Sequence, residues 1–418
     1  MLSLLDFISQ HQAIFITVSI LVGLILWRYF NLLKWNIVHT LCYRFGDYKK
    51  SNKSQRRYIV SIVGTQGIPG KYGGFETLVE QLTAQVTAEQ CNQTIDYKVF
   101  CSSTDLKQKQ KRCGRANLYY TPLSANGISS IPYDCISLFR AMGRSHCILL
   151  LGVSGAIFLP LVRFFTNTRI VTNIDGLEWK REKWGGFARW FLHLSERIAV
   201  RFSHCIIADN KAIQQHAEES YGCHAELIAY GYNHAMRDIA EDIQLTSLSK
   251  FRVEPNQYNL SICRIEPENN CHLVLEAAAQ SGAKLLFIGN WERSKYGREL
   301  KAKYSTFQNI TISDPVYDLD TLFALRRYAM RYIHGHSAGG TNPSLVEAMI
   351  FGNEIATYDV VYNRFTTNEL GLFFDSAESL SEILKQEPKK SPELTQLAQE
   401  RYNWDIIRME YENLFVDL

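Results

Sequence analysis

A chain of 418 residues exceeds what one hydrophobic core usually organises and implies two domains plus an appendage. A composition of 46% hydrophobic, 12% aromatic and 21% charged residues excludes a long disordered region, and a formal net charge of +3 is too small to point to nucleic acid. The ten cysteines are scattered with no Cys-x-x-Cys pair, which reads as reduced cytosolic thiols rather than disulfides or a zinc site.

Residues 13–27, AIFITVSILVGLILW, carry no charge, and the apolar character resumes as YFNLL before Lys34. Counted from Phe7 or through Leu33, the stretch reaches about 20 residues, the length that crosses a bilayer. No basic residue precedes it and no small-residue cleavage site follows, which favours a retained membrane anchor over a removed signal peptide. A helix lying in the interface is the alternative. Arg28, Lys34, Arg44, Lys49, Lys50, Lys53, Arg56 and Arg57 follow the anchor against one acid, Asp47, whereas residues 1–12 hold no Lys or Arg. This asymmetry places the bulk of the chain in the cytoplasm. Residues 1–50 are assigned to the anchor and its basic flank, which can also hold the first domain near anionic headgroups.

YIVSIVG (58–64) has the dense β-branched character of a parallel strand covered on both faces. The loop GTQGIPGKYGG follows, then ETLVEQLTAQV with apolar residues at helical spacing. Short apolar runs recur at YKVF (97–100), CILLLG (147–152), RIVTNID (169–175) and HCIIAD (204–209), the alternation of a doubly wound α/β domain over residues 51–245. GAIFLPLVRFF (155–165) and WGGFARWFLHLSERIAVRFS (184–203) lie within it. The second of these places Phe187, Trp190, Phe191, Leu194 and Ile198 near one helix face, with Arg189, Arg197 and Arg201 among the other positions. Core packing is the expectation for both stretches, and membrane-interface docking is the alternative.

A polar interval at 236–256 marks the domain boundary, after which the pattern restarts with YNLSICRI, KLLFIGN, NITIS, RYIHG and EIATYD interleaved with helices. This gives a second α/β domain over residues 246–395. Residues 396–418 read as an amphipathic helix that packs back across both lobes. Two such lobes leave a cleft between their strand ends, the usual ligand position in open α/β sheets.

Several positions can carry chemistry. In HSAGGTNPSLVEAM a strand ends in a small-residue loop, and Pro343 suits a first helical turn. The amides of Ser344 and Leu345 would then form an anion site at a helix N-terminus, with Glu347 one turn in and within reach of a hydroxyl such as a ribose. An ordinary strand-to-helix turn is the competing reading. Asp175, at the C-terminal end of a strand, is the acid/base candidate, with helix capping as the alternative. His334 and His336 lack a Cys, Asp or Glu at ligand spacing, so a sugar pocket suits His336 better than a metal does. Asp318 and Asp320 precede a helix, which makes capping the better account of that DxD.

Taken together, GTQGIPGKYGGFE, NIDGLEWKREKWG, CRIEPENN, HSAGGTNPSLVEAM and RYNWDIIRMEYENLF resemble glycosyltransferase family 4 on a GT-B scaffold, in particular its bacterial dTDP-rhamnose-dependent rhamnosyltransferase subgroup. The resemblance runs from about residue 57 to the end. It implies two Rossmann-like domains facing a cleft, the first binding the acceptor and the second the nucleotide sugar. It implies that Arg264 neutralises the donor diphosphate, that Glu347 contacts the ribose, and that Ser344 and Leu345 give N–H groups to phosphate. Asn269, His336, Gly340, Thr341 and Asn342 would complete the donor pocket, and Asp175 would act with Arg264 in catalysis. Gly73 and Gly74 would form the turn where diphosphate and acceptor meet, with Glu76 either a first-turn acid or an acceptor contact.

Two departures from the family pattern stand out: Asn269 replaces a lysine, and Gly339 replaces the first glutamate of the paired carboxylates. Both disfavour glucose-type recognition and are compatible with a 6-deoxy sugar. The implied reaction is transfer of L-rhamnose, with retention and without a metal, from dTDP-rhamnose to a polyprenyl-diphosphate-linked saccharide in capsule or O-antigen assembly. The expected location is the bacterial plasma membrane, as a single-pass protein with cytoplasmic catalytic domains and no nucleic-acid partner. Alternatives are a hexosyltransferase using a UDP- or GDP-sugar, an inert binding subunit, and a nucleotide-sugar oxidoreductase or epimerase. Against the last, the first loop is not GxGxxG and no Tyr has a Lys four positions on.

Overall fold

The computed structural model describes residues 57–417 except 71–72, 88–90, 93, 107–108 and 181–184. The chain divides into Met1–Arg56 and Arg57–Leu418, and the expected membrane anchor lies outside the described residues. Among the described residues no helix is long and apolar enough to cross a membrane.

The first sheet has eight strands: β1 (Tyr58–Val63), β2 (Ile95–Ser102), β3 (Arg112–Cys113), β4 (Ala116–Thr121), β5 (Cys147–Leu151), β6 (Arg169–Asn173), β7 (Cys205–Ala208) and β8 (Ala225–Leu227). Their order is β3-β4-β2-β1-β5-β6-β7-β8, with only the β3–β4 edge pair antiparallel. The second sheet is parallel throughout: β9 (Asn259–Ile262), β10 (Leu285–Ile288), β11 (Ile310–Ser313), β12 (Arg331–His334), β13 (Glu354–Tyr358) and β14 (Leu372–Phe374), in the order β11-β10-β9-β12-β13-β14. Strands such as CILLL of β5 are apolar at every position because helices cover both faces. In each sheet the strand order reverses once, between β1 and β5 and between β9 and β12. Crevices therefore open past Val63 and Leu151 in one lobe and past Ile262 and His334 in the other.

The chain ends by returning to its beginning. The helix Pro392–Arg401 buries Leu394, Leu397 and Ala398 in the second lobe. The helix Trp404–Asp417 instead puts Trp404, Ile407, Tyr411 and Phe415 into the core built by β1, β2 and the helix Gly74–Leu82. Polar bonds fix its register. Glu412, 2% exposed, accepts from the Tyr97 hydroxyl at 2.9 Å, from Arg115 at 2.5 Å and from the Asn92 amide at 2.5 Å. Asn173 at the end of β6 donates to the Tyr411 hydroxyl at 3.1 Å.

The helix Gly186–Phe202 departs from the expected core packing. Leu192, Ser195, Glu196 and Ala199 form its buried face, whereas Phe187 is 79% and Trp190 59% exposed. The stripe through Leu192, Ser195 and Ala199 is the one that meets the lobe, and Phe187 and Trp190 lie on the opposite side of the helix.

Glu412→Ala should cost about 3–5 kcal/mol, because it leaves the Arg115 guanidinium buried without its counter-charge. Urea unfolding of the full chain, followed by tryptophan fluorescence, checks this.

Candidate active site

At the switch point of the second sheet, two loops are stitched together. Asn270 donates to the Gly335 carbonyl at 2.9 Å, and the amide and hydroxyl of Ser337 both donate to the Glu268 carbonyl at 2.9 Å. Asn269 is 3% exposed. Its Nδ2 donates to the Arg264 carbonyl at 2.6 Å, and its Oδ1 accepts from His336 Nδ1. Asn269 therefore braces the loop and sets the ring of His336 rather than reaching into the donor pocket as expected. Gly339 lies at φ 105°, and a Cβ there would stand 3.3 Å from His336 Nε2. That φ is one that glycine adopts freely and an L side chain rarely does. Arg264 has a partly exposed side chain 3.9 Å from Glu266 Oε2, too long for a hydrogen bond. His334 is buried with no hydrogen-bond partner for Nε2, and burial pushes its ring down to about 3, so it stays neutral.

The helix Pro343–Met349 does not present the open amides expected at its start. Asn342 caps it: its Oδ1 accepts from the Ser344 amide at 3.0 Å and the Ser344 hydroxyl at 2.7 Å, and its carbonyl takes the Leu345 amide at 3.1 Å. Asn is among the strongest N-caps, so the residue just before Pro343 satisfies the donors that a phosphate would otherwise meet. Glu347 is gripped from both sides, by Arg326 at Oε2 and by His234 Nε2 at 3.1 Å from Oε1. Burial works to raise the carboxyl, but Arg326 and His234 override it and hold Glu347 below the usual carboxylate range. Trp404 Nε1 donates to His234 Nδ1 at 2.8 Å. This makes Nδ1 the acceptor and puts the ring proton on Nε2, facing Glu347.

The first lobe meets this loop with glycines. Gly73 lies at φ 140°, and a Cβ on it would fall 1.9 Å from Glu76 Oε2. Glu76 folds back on its own loop, accepting from the Thr65 hydroxyl and the Gln66 amide, both at 2.9 Å. Through Oε1 it acts as a clasp for the glycine turn. A Cβ on Gly74 would lie 3.6 Å from Tyr230 and 3.7 Å from Pro343, which brings the turn against the start of the helix Pro343–Met349. Glu80 accepts from the Gly70 amide at 2.7 Å, and burial raises its carboxyl.

Asp175 follows β6 in the left-handed region, at φ 57°, with its amide donating to Asn173 Oδ1 at 2.9 Å. For a residue other than glycine this is an uncommon conformation, of the kind that recurs at functional sites. A Cβ on the adjacent Gly176 would lie 2.2 Å from Gly339 Cα. Asp209, at the end of the neighbouring β7, was not singled out from the sequence, although it carries the same strand-end-acid signal as Asp175. Its Oδ1 is buried without a hydrogen-bond partner, and a Cβ on Gly340 would meet it at 1.8 Å. Burial pushes the Asp209 carboxyl well above the usual range, and repulsion from Asp175 adds to this. Thr341 is also drawn to the lobe contact: its hydroxyl donates to the Asp209 carbonyl at 2.5 Å and accepts from Asn210 at 3.2 Å. Gly340 and Thr341 thus join the lobes, while Arg264 and His336 follow the two strands that flank the second-lobe switch point and Glu347 lies on the helix after them. Asp318 caps its helix through the Thr321 amide at 3.0 Å, and Asp320 pairs with Arg237 at 2.7 Å.

A family model described as Domain of unknown function (DUF1972) matches residues 57–233. No curated protein matches the chain. Among solved structures, sucrose-phosphate synthase from Thermosynechococcus elongatus aligns with a TM-score of 0.67 at 15% identity, over 87% of this chain and 99% of that one. HepE of Anabaena in complex with UDP and glucose aligns with a TM-score of 0.65 at 13% identity, over 87% and 100%. The catalytic domain of starch synthase IV from Arabidopsis thaliana, bound to ADP and acarbose, aligns with a TM-score of 0.61 at 11% identity, over 86% and 99%. Arg57–Leu418 therefore has the GT-B fold, two doubly wound lobes with a shared crossing helix.

The raised Asp209 carboxyl keeps a proton in the folded chain that the unfolded chain has already released. Stability should therefore fall as pH rises from the ordinary carboxylate range towards the raised value. Asp209→Asn keeps the neutral shape, so it should flatten that decline and unfold at higher urea than the parent at about pH 8, with little difference at about pH 4. Urea midpoints at the two pH values test this, and equal midpoints at the higher pH would contradict it.

Proposed function

We propose that the protein is a retaining glycosyltransferase that moves L-rhamnose from dTDP-rhamnose to a polyprenyl-diphosphate-linked saccharide during surface polysaccharide assembly at the bacterial plasma membrane. The observation that carries the reading is the pair of strand-end loops at the second lobe's switch point, where Asn269 ties His336 to the Arg264 carbonyl, with Asp175 beside the Gly176–Gly339 contact between the lobes. UDP-bound and UDP-glucose-bound HepE share the fold, which supports a nucleotide-sugar donor. The membrane part of the proposal rests on the apolar and basic pattern of residues 1–56.

In this reading the second lobe holds the nucleotide. Glu347 spends one lone pair on each oxygen with His234 and Arg326, which leaves each oxygen able to accept from a ribose hydroxyl. Arg264 has unbonded guanidinium donors for the diphosphate, and its charge stabilises the leaving group as the glycosidic bond breaks. Asp175 orients the acceptor hydroxyl or steadies the developing oxocarbenium charge, and the departing diphosphate takes the acceptor proton on the same face. Asn269 and Gly339 leave the sugar pocket without the lysine and glutamate of the commoner pattern, which suits a 6-deoxy sugar with one hydroxyl fewer to bind. Transfer of a hexose from a UDP-sugar is the second reading, favoured by HepE with UDP-glucose.

The full chain should transfer sugar from dTDP-rhamnose to a short lipid-diphosphate saccharide when offered a panel of dTDP-, UDP- and GDP-sugars. Product formed only from UDP-glucose would replace rhamnose with the second reading. Arg264→Ala should lower kcat/KM by about 10²–10³-fold, the scale of losing one preorganised charge donor. His234→Gln acts through Glu347 on nucleotide binding, so steady-state kinetics should show a raised donor KM with kcat little changed.

A further inference from the structure

The outer face of the first lobe carries a pattern that the transferase reading leaves unused. On the helix Gly186–Phe202, Phe187, Trp190, Leu194, Arg197 and Arg201 fall at i, i+3, i+7, i+10 and i+14, one stripe opposite the buried Leu192, Ser195 and Ala199. The Phe187 and Trp190 rings lie 5.8 Å apart, 79% and 59% exposed. The helix Leu159–Phe165 packs beside it and offers Phe164, 76% exposed, next to the exposed Arg163. The helix Ser130–Ala141 adds Phe139, 49% exposed, whose ring meets Phe158 at 6.4 Å. Scattered apolar side chains on a surface need no explanation, but adjacent exposed aromatics on three packed helices mark an interaction site.

Charge decides what the site fits. On these three helices Arg163, Arg189, Arg197 and Arg201 are exposed, while the two acids, Asp134 and Glu196, are both buried. Glu196 is turned inward and bound by Trp179, His216 and the Tyr221 hydroxyl at 3.0, 2.9 and 2.6 Å. Protruding aromatics flanked by arginine, with no exposed acid among them, complement a surface that is apolar just below a layer of negative charge. We propose that this face docks on an anionic lipid bilayer, with Phe164, Phe187 and Trp190 entering the headgroup region and Arg163, Arg197 and Arg201 pairing with lipid phosphates. This contact would hold the first lobe, and so the acceptor side of the cleft, against the membrane surface.

The test uses the full chain reconstituted in vesicles, with a fluorescent amino acid incorporated at position 187 and, as a control, at the exposed position 387 of the second lobe. Vesicles of phosphatidylcholine with and without phosphatidylglycerol carry nitroxide-labelled lipids as quenchers. Position 187 should be quenched several times more than position 387 in the anionic vesicles, and less without phosphatidylglycerol. Arg197→Glu with Arg201→Glu should weaken the contact about fivefold per charge, measured as loss of quenching with an unchanged melting curve. Equal quenching at 187 and 387 would overturn the proposal. So would a chemical cross-link from position 187 to a second copy or to the chain's own first 56 residues, since that shows a protein occupant. Quenching reads contact and not transfer, so it stands or falls apart from the transferase reading.

Discussion

The structure depends on one close approach, where the lobes meet backbone to backbone. Gly176 at the end of the β6 segment rests on Gly339, and Gly340 rests on the Asp209 carboxyl, at separations that leave no space for a Cβ on Gly176 or Gly340. Only glycines allow two strand-end loops to come this near. Once they do, Thr341 reaches the Asp209 carbonyl and Asn210 reaches Thr341, Thr366 and the Tyr362 carbonyl. The cleft is thus defined at its floor by small residues and buried polar bonds. Its walls are left to carry charge.

The terminal helix ties this geometry to the second lobe. Trp404 lies in the core of the first lobe, yet its indole N–H reaches His234, and His234 in turn holds Glu347 of the second lobe. A carboxylate proposed for ribose contact is therefore oriented by a residue just before the polar interval between the lobes and, through it, by one from the end of the chain. Arg326 completes the set and keeps Glu347 ionised despite its burial. The same economy recurs at Asn269 and Asn342, whose carboxamides satisfy local donors and acceptors and so shape the pocket without entering it.

Much of the architecture is legible in the linear pattern. The apolar runs at 58–64, 147–152 and 169–175 read as strands covered on both faces, and their alternation with helices implies parallel sheets with crevices at their carboxyl ends. The strand-end position of Asp175, the glycine turn at 73–74 and the capping by Asp318 follow from local chemistry. Phe187 and Trp190 were harder to read, because an apolar stripe looks the same whether it faces a core or a membrane. The difference lies in which neighbours the fold supplies.

By itself the sequence determined the two α/β lobes, the cleft between them and the concentration of candidate chemistry near Asp175, Arg264 and Glu347, because these follow from periodicity, turn residues and a resemblance carried by short motifs. Only the tertiary structure decided which groups were already engaged. Asn342 takes the amides of its own helix, Asn269 turns to His336, Glu76 closes on its loop, and His234, Arg326 and Asp209 come in from distant segments. A hydrogen bond is satisfied by whichever partner is nearest in space, and distance in space between remote residues is set by packing and not by their order along the chain.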